Sequence, residues 1–110
     1  MPALDLDDTS FAATLAKTPM AIVDFHAGWC GPCILFKPKF KRLSGTFPHV
    51  AFFLVDGEKA PAARSTVQID NLPFFAVYRD GVFVEGLSTA EEEPFKAFVE
   101  RHFGAAPAAS

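Results

Sequence analysis

Cysteine is nearly missing from this chain of 110 residues: there are two, Cys30 and Cys33. That is too few for the disulfide scaffold that staples small secreted domains. Tryptophan and tyrosine are reduced to one each. Basic clusters are also lacking: ten Lys and Arg are scattered among thirteen Asp and Glu, for a formal net charge of −3. Nucleic-acid binding, which draws on neutralised phosphates, therefore has no electrostatic footprint here. No apolar run approaches the roughly 20 residues a membrane helix needs, so no membrane partner is expected. Met1 to Asp8 is acidic and lacks the basic segment and apolar stretch of a secretory signal. The expectation is a soluble, cytoplasmic, monomeric protein.

Half of the residues are hydrophobic and thirteen are Phe, enough for one aromatic-rich core. Residues 1–104 read as one domain and 105–110 as a flexible tail of small residues. Met20–Phe25 is apolar except for Asp24, and Val50–Val55 is apolar throughout. Such runs suit strands of a parallel or mixed sheet covered on both faces. Phe74–Tyr78 and Val82–Val84 flank Arg79-Asp80-Gly81, and Asp-Gly is a strong hairpin signal. Ala3–Leu6 adds a short edge strand.

Between these runs the period changes. Phe36, Phe40, Leu43 and Phe47 recur at intervals of four, three and four, one helical face, with Gly45 near the helix end. Phe95, Phe98, Val99 and His102 repeat the pattern. There Glu91, Glu92 and Glu93 suit a helix start, and Pro94 must fall in the first turn. Phe11–Leu15 and Lys59–Val67 read as shorter helices, the first capped by Asp8 or Thr9. The order is strand, helix, strand, helix, strand, helix, hairpin, helix. That is an α/β fold with a central mixed β-sheet flanked by helices on both faces.

The cysteines lie where the strand from Met20 runs into the helix of Phe36, in Ala27-Gly28-Trp29-Cys30-Gly31-Pro32-Cys33. Residues three apart at a helix start share a face and can close a disulfide. The free N–H groups and dipole of the helix N-terminus favour a thiolate on the first cysteine. Pro32 is tolerated in the first turn and stiffens it. The chemistry that follows is thiol–disulfide exchange. Zinc is the competing use of Cys-x-x-Cys. It wants four ligands, and His26, His49 and His102 show no paired spacing, so no metal is expected.

Val23-Asp24-Phe25-His26-Ala27-Gly28-Trp29-Cys30-Gly31-Pro32-Cys33 resembles the active-site signature of the thioredoxin family, and the resemblance extends from about Leu4 to Phe103. It implies the thioredoxin fold and a reductase of protein disulfides, active in electron transport and redox homeostasis, with no bound cofactor. Cys30 would be the attacking thiol and Cys33 the resolving thiol of a redox-active disulfide. Asp24 would be a buried proton acceptor beneath Cys33. Trp29, Gly31, Pro32, Leu72 and Pro73 would bind substrate, with Leu72-Pro73 joined by a cis bond and Leu72 pairing with an extended client segment. Pro38 resembles a helix-kinking proline. The implied partners are disulfide-bearing proteins and a flavin-dependent thioredoxin reductase.

Four positions depart from the family pattern. Phe52 stands where a lysine near the buried Asp is common. His26 either tunes Cys30 as an imidazolium or fills the loop edge. Glu85 replaces a glycine expected on the partner-binding surface, and Phe74 enlarges the apolar surface beside Pro73. His49 and His102 read as surface residues. Two other uses of the fold compete: a binding or regulatory module with dispensable cysteines, and a redox protein dedicated to one client.

Overall fold

The computed structural model describes residues 2–107. Residues 108–110 of the expected tail lie outside the described residues, whereas Ala106 packs against the core. The elements are β1 (Leu4–Leu6), α1 (Phe11–Ala16), β2 (Met20–His26), α2 (Gly31–Thr46), β3 (Ala51–Asp56), α3 (Pro61–Arg64), β4 (Phe74–Arg79), β5 (Val82–Ser88) and α4 (Glu92–Phe103). No helix among them is long and apolar enough to cross a membrane.

The two continuous apolar runs become β2 and β3, adjacent and parallel in a sheet of order β1-β3-β2-β4-β5. β1 joins β3 in parallel, and β4 runs antiparallel to both β2 and β5. Strand alternation divides the core in two. Ile22, Phe52, Leu54, Phe75 and Val77 turn toward α2 and α4, meeting Phe36, Phe40, Leu43, Phe95 and Phe98. Ala21, Val23, Phe25, Phe53, Val55 and Phe74 turn the other way, toward Phe11 and Leu15 of α1 and Ala63 of α3. Most phenylalanine pairs meet tilted or edge-on, as in Phe75–Phe95 with centroids 4.6 Å apart, while Phe40–Phe75 and Phe47–Phe52 are stacked.

Helix α2 starts at the cysteines and carries Pro38 inside it, and Pro94 falls in the first turn of α4. The hairpin turn has φ of 51° at Asp80 and 82° at Gly81, the pair a type I′ turn requires.

Two local expectations fail. Helix α3 is far shorter than Lys59–Val67. Proline at its first position keeps Ala60 out of helical geometry (φ −126°, ψ 64°). At its far end Ser65 Oγ donates to the Ala62 carbonyl at 2.8 Å and Thr66 Oγ1 to that of Ala63 at 2.6 Å, so hydroxyls replace a further turn. The cap also moves. The N-cap of α1 is Ser10, not Asp8 or Thr9, and Asp7 holds the turn before it, accepting from the Thr9 and Ser10 N–H groups at 3.0 and 2.9 Å. Asp8 reaches across the fold and accepts from the Ala63 N–H at 2.8 Å, at the start of α3.

Phe74 is buried, not part of an apolar rim. Its ring packs 6.3 Å from that of Phe25, in space left by Gly86, where a Cβ would overlap the ring. Gly86→Ala is therefore expected to destabilise the protein by about 1–3 kcal/mol through overpacking. Adding Phe74→Leu should recover part of the loss. Denaturant midpoints of the single and double variants check both outcomes.

Candidate active site

Strand β2 ends at His26, and the chain turns through Ala27, Gly28 and Trp29 before α2 begins. Two bonds hold this turn: the Cys30 N–H donates to the Ala27 carbonyl at 3.1 Å, and the Gly28 N–H to Glu58 Oε1 at 3.1 Å. Cys30 is the helix cap, extended at φ −87° and ψ 104°, and the Cys33 N–H donates to its Sγ at 3.2 Å. A sulfur thus takes the capping place that Ser or Asp usually fills, and one orphan N–H of the helix start is satisfied by half of the disulfide. The two cysteines are joined in a disulfide, with Cα atoms 5.3 Å apart. Among the described residues, no group of three or more His, Cys, Asp or Glu side chains could hold a metal ion.

Both cysteines are buried, Cys30 at 4% and Cys33 at 3% exposure. The difference lies in what each faces. Cys30 lines a groove with Trp29, Gly31, Pro32 and Leu72, whereas Cys33 does not reach it. Trp29 is 71% exposed, an indole on the groove edge rather than in the core. The Leu72-Pro73 bond is cis, and Leu72 packs against the cluster of Ala27, Cys30 and Cys33. The structure so gathers five of the expected residues at one opening. Cys33 sits behind it, and Pro73 follows Leu72 at the start of β4. Arg64 and Asp70 line the same groove and were not foreseen.

Asp24 is the other notable group. It is 1% exposed, and neither carboxylate oxygen has a hydrogen-bond partner among the described residues. Its register partners Leu54 and Phe75 both belong to the α2-facing core, so its side chain turns to that face. Burial pushes its pKa up to about 7, and the positive charge of Lys37 opposes part of that rise. Phe52 supplies no cation; its ring lies 4.9 Å from that of Phe40, wholly within the core. The compensating charge comes from Lys37 of α2 instead. The sequence carried a signal for it, since Lys37 follows Cys33 by four residues, one turn along the same side of α2.

Three other expectations are corrected. His26 does not line the Cys30 groove. It lines a separate cleft with Lys37, Asp56 and Lys59, and burial lowers its pKa, so it is no imidazolium beside the thiol at neutral pH. Glu85 is not on a loop beside the cysteines. It accepts from both terminal nitrogens of Arg101 at 3.1 Å and lies 2.9 Å from His102 Nε2, tying β5 to α4. His102 is accordingly half-buried, at 11% side-chain exposure, and His49 is half-buried as well.

The lone carboxylate makes a directional prediction. In the native state Asp24 keeps its proton to about pH 7, while its ordinary value is 3.8. Between those values the unfolded chain binds fewer protons, so stability falls as pH rises, by up to about 1.4 kcal/mol per pH unit, and levels off above. Asp24→Asn removes this slope, so the stability advantage of the variant should grow from pH 5 to pH 8. Equilibrium denaturation of the oxidised proteins across that range is the measurement. A constant difference between the two would contradict the titration.

The comparisons with known proteins agree with this geometry. The thioredoxin family model matches residues 2–101. A thioredoxin H-type of Chlamydomonas reinhardtii is 39% identical over 85 residues, covering 76% of this chain and 75% of its own. A thioredoxin of Ophiophagus hannah is 32% identical over 98 residues, covering 87% and 93%. A solved thioredoxin of Plasmodium falciparum superposes with a TM-score of 0.85 at 28% identity, over 91% of this chain and 98% of its own. With a closed Cys30–Cys33 pair at the groove, the chain belongs to the thioredoxin family and is a thiol–disulfide oxidoreductase of proteins.

Proposed function

We propose that the protein reduces client disulfides with Cys30 as attacking thiol, Cys33 as resolving thiol and Asp24 as proton acceptor. The observation that carries the assignment is that only Cys30 faces the groove, with the Cys33 N–H directed at its sulfur. In the reduced state that N–H and the α2 N-terminus favour the Cys30 thiolate. The thiolate attacks one sulfur of the client disulfide; the other leaves as a thiolate, and a mixed disulfide forms. Cys33 gives its proton to Asp24 and attacks Cys30 Sγ, which releases the second client thiolate. The client gains two electrons, its two thiolates take up protons from water, Asp24 returns its proton to solvent, and the Cys30–Cys33 disulfide is left.

Trp29, Gly31, Pro32 and Leu72 line the groove with Cys30 and suit contact with a client. The oxidised pair needs an electron donor, for which a flavin-dependent thioredoxin reductase is the family's usual source. A monomer in a reducing compartment such as the cytoplasm fits this role, since two cysteines used in exchange leave none for a structural disulfide. Reduction of insulin disulfides with dithiothreitol, and then with thioredoxin reductase and NADPH, tests the activity and the donor.

The roles are separable by variants. In the reduced protein at pH 7, Cys30 should alkylate about tenfold faster than Cys33 or more. Cys33→Ser should accumulate mixed disulfides with clients and Cys30→Ser few, visible on non-reducing gels. A reversed pattern exchanges the two assignments. Asp24→Asn should slow turnover near pH 7 by about tenfold or more. Unchanged rates from about pH 6 to 9, the span of the His and Cys reference values, remove Asp24 from the mechanism.

A further inference from the structure

Arg64 ends α3 and lines the Cys30 groove, half-buried. Its guanidinium makes no ion pair and no side-chain hydrogen bond among the described residues, although the chain has more acidic than basic groups. Nor is the side chain loose. Its stem lies over Gly57, where a Cβ would stand 2.5 Å from Arg64 Cδ, 3.1 Å from Nε and 3.3 Å from Cγ. Gly57 is itself fixed, its N–H donating to the His26 carbonyl at 2.8 Å. An arginine with its stem seated and its five donors unspent, in the groove that must admit a substrate disulfide, is placed for carboxylate recognition.

The rest of the groove limits where that carboxylate can sit. Asp70, exposed on the same wall, repels a second negative charge. The first turn of α2, which begins at Cys30, is free of charge, and Trp29, Ile34 and Leu35 are 71%, 59% and 73% exposed. A client segment crossing Cys30 thus meets exposed apolar side chains and, among the residues lining the groove, a single cation. The geometry points to a preference for protein disulfides with an Asp or Glu a few residues from the attacked cysteine, read by Arg64 and positioned by Gly57. This reading rests on Cys30 as the attacking thiol, and it adds which clients the groove selects.

The test uses the reduced full chain and paired synthetic peptides, each with one cysteine in a disulfide to a small neutral thiol. The members of a pair differ only in Glu or Gln placed two or three residues from that cysteine. The quantity read is the ratio of second-order rate constants, Glu over Gln. At low salt the unmodified protein should favour Glu by about threefold, the scale of a partly exposed ion pair. The ratio should shrink toward one as salt rises. Arg64→Gln should bring it to about one, and Arg64→Lys should keep part of it. Gly57→Ala should also lower it, because its Cβ displaces the flexible arginine stem while leaving the guanidinium present. A ratio of one in the unmodified protein, or a preference that survives Arg64→Gln, overturns the proposal. So does a dependence on Arg64 seen with oxidised glutathione but with no peptide pair. A protein that reduces neither peptide overturns the role of Cys30 as well, whereas one that reduces both equally overturns only the client preference.

Discussion

Everything at the reactive end depends on the bond from the Cys33 N–H to Cys30 Sγ. A helix start must satisfy its first N–H groups, and a polar side chain usually does so. Here the acceptor is the Cys30 sulfur, half of the redox disulfide. The capping requirement and the proposed chemistry therefore fall on one atom: the sulfur that completes α2 is the one proposed to carry the thiolate. The consequences run outward. Cys30 must be extended for its sulfur to fold back, and its cap is set by the Ala27 carbonyl, itself fixed by the end of β2. Pro32 fits the first turn, where its missing N–H costs nothing. The sheet's central strand, the loop and the helix are thus joined through a single sulfur.

What was legible in the sequence is what is local. The apolar runs of β2 and β3, the Asp80-Gly81 turn and the phenylalanine spacing of α2 each report a period within one element, and each element formed. The reactive pair lies within four residues and was legible for the same reason. The misses are contacts between distant segments. Glu58 holds Gly28 across 30 residues, and Asp8 holds Ala63 across 55. Nothing near Asp8 tells it apart from a cap of α1, because the helix it serves is brought alongside only by the packing of the fold.

Glu85 shows how one residue of register changes a function. From the turn, Arg79 pairs with Val82 and Tyr78 with Phe83, so simple counting sets Val84 opposite Val77. The register shifts there, and Glu85 takes that place. A one-residue slip exchanges the faces of a strand, and a bulge does so locally. Glu85 consequently shares the face of Val77, toward α4, where Arg101 and His102 wait. A carboxylate expected at the client surface becomes a clamp on the last helix. Phe74 is governed by the same strand pair, since its ring needs the gap that Gly86 leaves.

Asp24 completes the physical account, because a carboxylate with no hydrogen-bond partner among the described residues, in a phenylalanine-lined core, opposes folding. Two features decide how heavy that opposition is. Burial in that core strips water from the carboxylate and raises its pKa, and Phe52 contributes an aromatic ring to the same face rather than a cation. Lys37 works in the opposite sense, and it sits half-buried, lining the cleft of His26 and Asp56. The cation that offsets Asp24 is thereby mounted on α2, one turn beyond Cys33, and not on the neighbouring strand. A displacement of α2 that moves Cys33 also moves Lys37, so the position of Cys33 and the proton affinity of Asp24 are set by the same helix.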